Sequence, residues 1–385
     1  MVMNKKIAII GSGRMAWIIS RNAHKMGLTT YCFSNVEPDY IHDEVDFFYN
    51  ISIFEKERIV EICKENHVDG VIASTELTIS IAAFIAKELH SPGMSYETSM
   101  VITDKYRNRV ACKDVEGLEQ PKFYELNDEQ KLSNLQLDYP VIVKPTGKGG
   151  KRGITVVTDS AKILEAYRYA KENSGSAPVI VEDFISGGQE YSVETLSCKG
   201  KHYLIQVTEK ISSGPPHCVE LGHHQPANIS QKMRSKIERV LFAGLTAIGV
   251  DNSTCHTEIK IVDEKIYLIE FNARPGGDHI SWPLTELSTG YNIIEGAISI
   301  ALGTFKNINY ASFKHYYAGV YFVTKQSAFL KPIFDECEKY DWLYHKNLVS
   351  DDLQELEHND CYGTNSIMYF SKDHRIDLTK QHIEK

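Results

Sequence analysis

The stretch LIEFNARPGGDHI, residues Leu268 to Ile280, begins as an apolar strand and turns polar at its end. Side chains alternate across a strand with period two, so Glu270, Asn272 and Arg274 project from one face. A carboxylate, an amide oxygen and a fixed cation converging there point to an ion and an anionic group bound together. The same residues also read as a solvated strand end running into the Pro275-Gly276-Gly277 turn.

The partner strand weighs between these readings. Glu258 lies in HTEIKIV, and Asp263-Glu264-Lys265 separates that run from IYLIEFN. A three-residue turn sets Val262 opposite Ile266 and Glu258 opposite Glu270, whereas a two-residue turn sends the two acids to opposite faces. Like charges directly opposed destabilise a sheet, so the facing register makes sense with a cation between them. Two carboxylates and an amide oxygen form a hard-oxygen set suited to magnesium, which also keeps ligands from bound phosphates. Arg274 on that face would grip a phosphate or carboxylate bidentately.

Further upstream, VIVKPTGKGGKRGITVV carries Gly147, Gly149, Gly150 and Gly153 together with Lys148, Lys151 and Arg152. A Walker loop needs Ser or Thr after its Gly-Lys, and here Arg152 follows, then the β-branched run Ile154–Val157 in place of a helix. The loop therefore joins two strands. Exposed N–H groups and cations suit triphosphate oxygens, and Lys144 at the preceding strand end points another charge the same way. The bland alternative is a mobile surface hairpin. In PVIVEDFISGGQEYSVE, Glu182 ends one strand and Glu190 opens the next. Backbone at Asp183, Phe184 and Ile185 suits pairing with an adenine ring, and a carboxylate suits ribose hydroxyls; the alternative is a hairpin with solvated acids.

The chain starts with strand–helix alternation over its first hundred residues, which predicts a parallel sheet covered by helices. Helices are expected at Met15–Met26, Lys56–Asn66, Ile79–Leu89, Ala161–Asn173 and Ser230–Ile248, with antiparallel hairpins dominating after Pro140. Gly11-Ser12-Gly13-Arg14-Met15-Ala16 matches G-x-G-x-x-A, half of a dinucleotide fingerprint. The acid that should end the second strand is missing: Ser34-Asn35 stands there and Glu37 is only loosely placed, so a tight turn without ligand is favoured over an NAD site. SSGPPHCVELGHHQPA holds His217, His223 and His224, either a zinc cluster or ordinary side chains of an irregular, exposed segment.

Composition excludes several classes. With 385 residues, 42% hydrophobic and 24% charged, the chain is sized for a multi-domain globular enzyme, and a net charge of −9 without a basic run argues against nucleic acid or an anionic membrane. No apolar span of membrane length occurs, and MVMNKKIAIIGSG reads as a buried strand rather than a signal peptide. Eight scattered cysteines without C-x-x-C fit free thiols in a reducing cytosol, so a cytoplasmic protein is expected.

Taken in order, Lys105 in TDKYRNR, Lys144 in VKP, the glycine loop, Glu182 in VEDFI, Glu190, Glu258 and EFNARPGG resemble the ATP-grasp superfamily over roughly residues 1 to 305. The resemblance implies an α/β plus α+β fold. It comprises a Rossmann-like parallel-sheet domain (1–100), a two-subdomain ATP-grasp domain (101–305, mobile lid about 120–190) and a small C-terminal β-rich unit (306–385). It further implies that Lys105 and Lys144 contact phosphate or adenine, that backbone after Glu182 reads adenine, and that Glu190 holds the ribose. Glu258, Glu270 and Asn272 would carry Mg2+, as two ions with Mn2+ as an allowed substitute. Arg274 and Lys151 would act on the reacting groups. The implied reaction uses ATP to convert a small carboxylate into an acylphosphate, which an amine attacks. A carrier-protein thiol or a purine-pathway amine is the alternative acceptor, and a homodimer fits the pattern. The Glu220 and His223 segment resembles the substrate loop of amino-acid and dipeptide ligases, with Glu220 on a substrate ammonium and His223, Arg274, Gly276 and Gly277 near the carboxylate. Two departures stand out: a loop richer in Lys and Arg than in many relatives, and Asp183 where a second Glu is common. The last eighty residues match least.

Overall fold

A computed structural model describes residues 4–36 and 41–379, and Glu37 lies outside the described residues. Four parallel strands, β1 (Lys6–Ile10), β2 (Thr29–Ser34), β3 (Phe47–Asn50) and β4 (Gly70–Ala73), form a sheet in the order β3-β2-β1-β4. Helices α1 (Arg14–Lys25), α2 (Lys56–Glu65) and α3 (Ile79–Glu88) cover it. The continuous apolar run of β1 reflects burial on both faces: Ile7 and Ile9 pack with Ile18 and Ile19 of α1, while Ala8 and Ile10 pack with Ile59 and Ile85 of α2 and α3. β3 has no strong sequence signal, since its four residues are all partly exposed.

Two short capped helices lead away from this domain. α4 (Tyr96–Ile102) starts on Ser95, and α5 (Lys105–Ala111) starts on Asp104, whose carboxylate accepts from the Arg107 amide. A two-residue strand β5 (Leu118–Glu119) follows. Strands β6 (Phe123–Leu126), β7 (Val141–Pro145), β8 (Thr155–Val157) and β9 (Val179–Asp183) then form an antiparallel sheet in the order β6-β9-β7-β8. Alternation sorts its faces. Val141, Val143, Val179 and Val181 pack on Ala166 and Ala170 of α6 (Ile163–Ser174), which leaves Ile142, Lys144 and Glu182 on the other side.

The largest sheet has nine strands. It adds β10 (Gln189–Cys198), β11 (Lys201–Ser212), β12 (Glu220–Gln225), β13 (Ser253–Val262), β14 (Lys265–Asn272), β15 (Tyr317–Phe322), β16 (Leu343–Asn347) and β17 (Ser366–Ser371) to β5. The order is β16-β17-β15-β12-β11-β10-β13-β14-β5. Helix α7 (Gln231–Ile248) covers one face, capped by Ser230 and ended by Gly249 at φ 86, and buries Val240, Leu241 and Leu245 against Leu268 and Phe271. One expectation is corrected here. The 213–226 segment is not irregular and exposed throughout: β12 is an interior strand, because β15 pairs on its far side from Gly222–Tyr321 to Gln225–Ala318. Through that pairing the C-terminal strands β15, β16 and β17 extend the central sheet. Among the described residues no helix is long and apolar enough to cross a membrane.

Candidate active site

The β13–β14 hairpin brings Glu258 opposite Glu270, but by a route the sequence did not disclose. Its turn has two residues, Asp263 and Glu264, both with positive φ (47° and 62°), and Val262 pairs with Lys265. That register alone would send the acids to opposite faces. A bulge restores them: Ile259 pairs with Leu268, Glu258 with Glu270, and Ile269 is the extra residue between. The bulge also switches the parity of β14. Ile266 and Leu268 face the core below it and Phe271 and Ala273 above it, so Glu270 and Arg274 are turned to the cleft.

Across that face, paired residues share a side: Glu190 with Lys260, Ser192 with Glu258, and Glu194 with His256. A charge lattice results. Lys105 Nζ lies 2.8 Å from Glu270 and also donates to the Lys148 carbonyl at 2.8 Å, tying helix α5 to the glycine loop. Lys210 Nζ bridges Glu258 at 2.7 Å and Glu220 at 2.8 Å. His256 sits between Glu194, with which its Nδ1 pairs, and Glu258, 3.5 Å from Nε2. Burial works against the imidazolium, but these carboxylates raise His256 to about 9. Burial likewise opposes charge on Glu258, and Lys210 and Lys151 outweigh it and hold the carboxyl well below its usual range. Glu270 is lowered too, by Lys105 against burial and the facing Glu258.

Glu182, expected at the nucleotide, lines the cleft. Its carboxylate is 2% exposed and engaged by two cations, Arg109 Nε at 2.6 Å and Lys144 Nζ. Burial disfavours its charge, yet the pair brings it down to about 2. One carboxylate serving two cations leaves positive charge over, and burial with Arg109 nearby lowers Lys144. Arg109, which also donates to the Leu268 carbonyl, joins β9, α5 and the hairpin.

A cleft of about 190 Å³ lies between the β6-β9-β7-β8 sheet and the nine-stranded sheet. Ile142, Ile154, Phe184 and Ile269 supply apolar walls, and Lys105, Lys144, Lys151, Lys210 and Arg274 line the polar part. The glycine loop lies over it: Lys151, at φ 59, reaches within 3.8 Å of Glu190 and 3.5 Å of Glu220. Gly150 accepts a bond from the Asn359 amide at 3.2 Å, and a Cβ on Gly149 would meet Glu76 at 2.2 Å. Of the expected adenine-reading segment, the Asp183 and Phe184 amides are engaged by the Lys122 and Pro140 carbonyls, and the Ile185 carbonyl accepts from Lys260.

The residues expected at the substrate divide. Gly277 and Arg274 line the cleft. Gly276 lies just behind: its amide donates to Glu194 and Ser281, and a Cβ there would meet His256 Nδ1 at 2.5 Å. Glu220 and His223 do not line it. Glu220 is buried behind Lys151 and Lys210, and burial raises its carboxyl. His223 is fully buried opposite Lys210, its ring 5.7 Å from Phe322 and neither ring nitrogen bonded. His224 points the other way, to the Tyr369 hydroxyl, and His217 lies by the Ile154 carbonyl, so the three histidines do not converge.

Several site residues escaped the sequence reading: Arg109, Glu194, Lys210, His256, Lys260 and Asp278. Period-two polarity in β13 (His256, Glu258, Lys260) and β10 (Glu190, Ser192, Glu194) carried a usable signal for three of them, Glu194, His256 and Lys260. Asp278 carried none. It lines the cleft beside Arg274, and burial raises its pKa. The N-terminal glycine turn serves packing: Gly11 has φ 91, and a Cβ there would meet Ser74 Oγ at 2.8 Å.

Residues 137–282 match the ATP-grasp domain family. The carbamoyl phosphate synthase large chain of Thermotoga maritima is 25% identical over 300 residues, covering 70% of this chain and 26% of that protein. The chain thus spans about a quarter of the length of such relatives. A D-alanine–D-alanine ligase of Neisseria meningitidis serogroup B is 27% identical over 215 residues, 54% of this chain and 69% of that one. Among solved structures, an L-amino acid ligase from Bacillus licheniformis superposes with a TM-score of 0.80 at 22% identity, covering 100% of this chain and 97% of that one. Residues 137–282 thus carry an ATP-grasp domain, and the chain as a whole shares its fold with the L-amino acid ligase structure.

Proposed function

We propose that the chain is an ATP-dependent ligase that activates a small carboxylate, an amino acid, as an acylphosphate and joins it to an amine, with release of ADP and phosphate. The observation that carries this reading is the bulged hairpin, which turns Glu258, Glu270 and Arg274 toward a cleft roofed by a cationic glycine loop. Relatives named as ligases of amino acids agree with it.

In this reading adenine lies among Ile142, Ile154, Phe184 and Ile269, and the ribose meets Glu190. Lys105, Lys144 and Lys151 face the triphosphate under the loop. The donor set fits magnesium: Asn272 Oδ1 is buried without a hydrogen-bond partner, and Glu258 and Glu270 are held ionised by cations that a metal would relieve. Bound at Glu258, Glu270 and Asn272, magnesium would neutralise charge on the transferring phosphoryl group. Arg274 orients the substrate carboxylate, whose oxygen attacks the γ-phosphorus as the bond to the ADP oxygen breaks. The amine nitrogen then attacks the acyl carbon, phosphate leaves, and the amine loses a proton. Arg274 stabilises the oxyanion formed on the way. Asp278 has no cation within ion-pairing distance among the described residues, and a substrate ammonium would supply one.

The test is ADP release with MgATP and each amino acid in turn, using hydroxylamine as a generic acceptor so that an acylphosphate appears as a hydroxamate. ADP and hydroxamate rising together for a defined set of acids is the expected result. ATP turnover that no carboxylate stimulates, without hydroxamate, would end the ligase reading.

A further inference from the structure

Beside the cleft lies a chain of two more cavities. The first, about 360 Å³, shares Arg274, Gly277 and the glycine loop with the ATP cleft. The second, about 530 Å³, shares Arg14 and Tyr362 with the first and runs out between the 279–283 segment and the C-terminal strands. Both volumes fall in the ~300–1,000 Å³ range of small-molecule sites.

The outer cavity has an unequal lining. Trp282, Tyr344 and Tyr362 give it aromatic walls, and Arg14 is the cation shared with the inner passage. The Arg14 guanidinium stacks 4.2 Å from the Trp17 ring, which fixes its plane while leaving its in-plane N–H donors for an anion. Among the described residues no carboxylate pairs with it. His279 also lines this cavity, 7% exposed, with Nε2 lacking any hydrogen-bond partner. It is held at φ 69, directly after Asp278 at φ 53. Two consecutive left-handed residues that are not glycine cost energy, and here they aim neighbouring side chains into the cleft and into the outer cavity. Burial, with Arg14 adding to it, depresses His279 to about 3, so the ring is a neutral acceptor in need of a donor.

We propose, resting on the ligase reading, that the outer cavity is the acceptor subsite and takes an α-amino acid with a bulky apolar or aromatic side chain. Arg14 holds its carboxylate and His279 Nε2 accepts from its amino group. Trp282, Tyr344 and Tyr362 enclose the side chain, and the amine reaches the acylphosphate through the passage beside Arg274. The acceptor is thereby distinguished from the activated acid, which must fit the smaller space at Arg274 and Asp278.

The test uses the full chain in two stages. Hydroxamate formation by the parent first identifies an acid that is activated, independently of the acceptor. With that acid fixed, phenylalanine, tyrosine, leucine, alanine and glycine are compared as acceptors by dipeptide formation. The parent should show a KM for the bulky acceptors lower by about tenfold or more than for glycine. Tyr344→Ala, a half-exposed position whose loss does not threaten the fold, should raise the KM for phenylalanine about tenfold and that for glycine much less. Arg14→Gln should raise both alike, and Arg14→Lys should recover part of the loss. Hydroxamate without preference for bulky acceptors, or a phenylalanine KM unmoved by both Tyr344→Ala and Arg14→Gln, overturns the assignment and leaves the ligase reading standing. Absence of hydroxamate from every acid removes both.

Discussion

Glu182 shows how one residue sets both stability and charge in the cleft. Its pKa falls from near 4.5 in the unfolded chain to about 2, so its pairing with Arg109 and Lys144 stabilises the fold fully above pH 4.5. That contribution, on the order of 3 kcal/mol, is lost as the pH falls from 4.5 toward 2. Glu182→Gln should melt earlier at pH 7, because two buried cations lose their partner, and its melting temperature should change less with pH across that window. Equal slopes for parent and variant between pH 5 and 3 would mean that other carboxylates govern the acid transition. Arg274 bears on chemistry instead. Among the described residues its one side-chain hydrogen bond goes to the neighbouring Pro275 carbonyl, so the rest of its guanidinium fork is open to a bound anion. Arg274→Ala should lower the maximal rate about a hundred- to a thousandfold with little change in ATP affinity, and Arg274→Lys should recover little because it lacks the planar fork. Calorimetry of ATP-analogue binding beside turnover decides this: weak binding with an intact rate would make Arg274 a nucleotide anchor.

At the scale of elements the hairpin is the decisive piece, and it shows what a sequence conceals. Alternation placed Glu270, Asn272 and Arg274 on one face, and the strand limits followed from apolar runs and turn residues. The bulge was not legible, since Ile269 is an ordinary strand residue and a bulge arises only from pairing with β13. The facing acids were therefore foreseen from a turn length that the chain does not have. β12 was misread for a similar reason: Pro215, Pro216 and Pro226 flank it, but partners distant in sequence on both sides make its six residues a strand. Arg109 was invisible because a helix residue reveals nothing of a carboxylate seventy-three positions away. Deleting Ile269 tests the hairpin argument. Without that residue Glu270 follows Leu268 directly and stays opposite Glu258 on the cleft face in a regular ladder, so turnover should persist, with a raised KM for ATP because Ile269 lines the cleft. Glu258→Gln, by contrast, should lose turnover and keep its fold by circular dichroism. Loss of turnover in the deletion with the fold intact would show that the bulge itself, and not only the facing of the two acids, orients the site.

The whole molecule closes its cleft with three regions at once. The glycine loop touches the parallel-sheet domain through Gly149 and Glu76, the central sheet through Lys151 with Glu190 and Glu220, and the C-terminal region through Gly150 and Asn359. Glu220 meets the same C-terminal residue, its amide donating to Asn359 Oδ1 at 3.0 Å. The last eighty residues, where resemblance was weakest, thus supply both a clasp for the loop and the aromatic wall of the outer cavity. Lid motion should then be registered in two distant stretches of sequence. A non-hydrolysable ATP analogue should raise hydrogen-exchange protection across 147–153, because phosphates replace the Glu190 and Glu220 contacts of Lys151 and fix mobile glycines. Protection around Asn359 should rise with it, since a loop held down keeps the Gly150 carbonyl on the Asn359 amide. Asn359→Ala should keep that amide and lose only the bond to Glu220, so the loop should still respond. Asn359→Pro removes the amide and should reduce protection of 147–153 in the bound state. A nucleotide response confined to 147–153, with 357–361 unchanged and Asn359→Pro indistinguishable from the parent, would restrict closure to the lid and the central sheet.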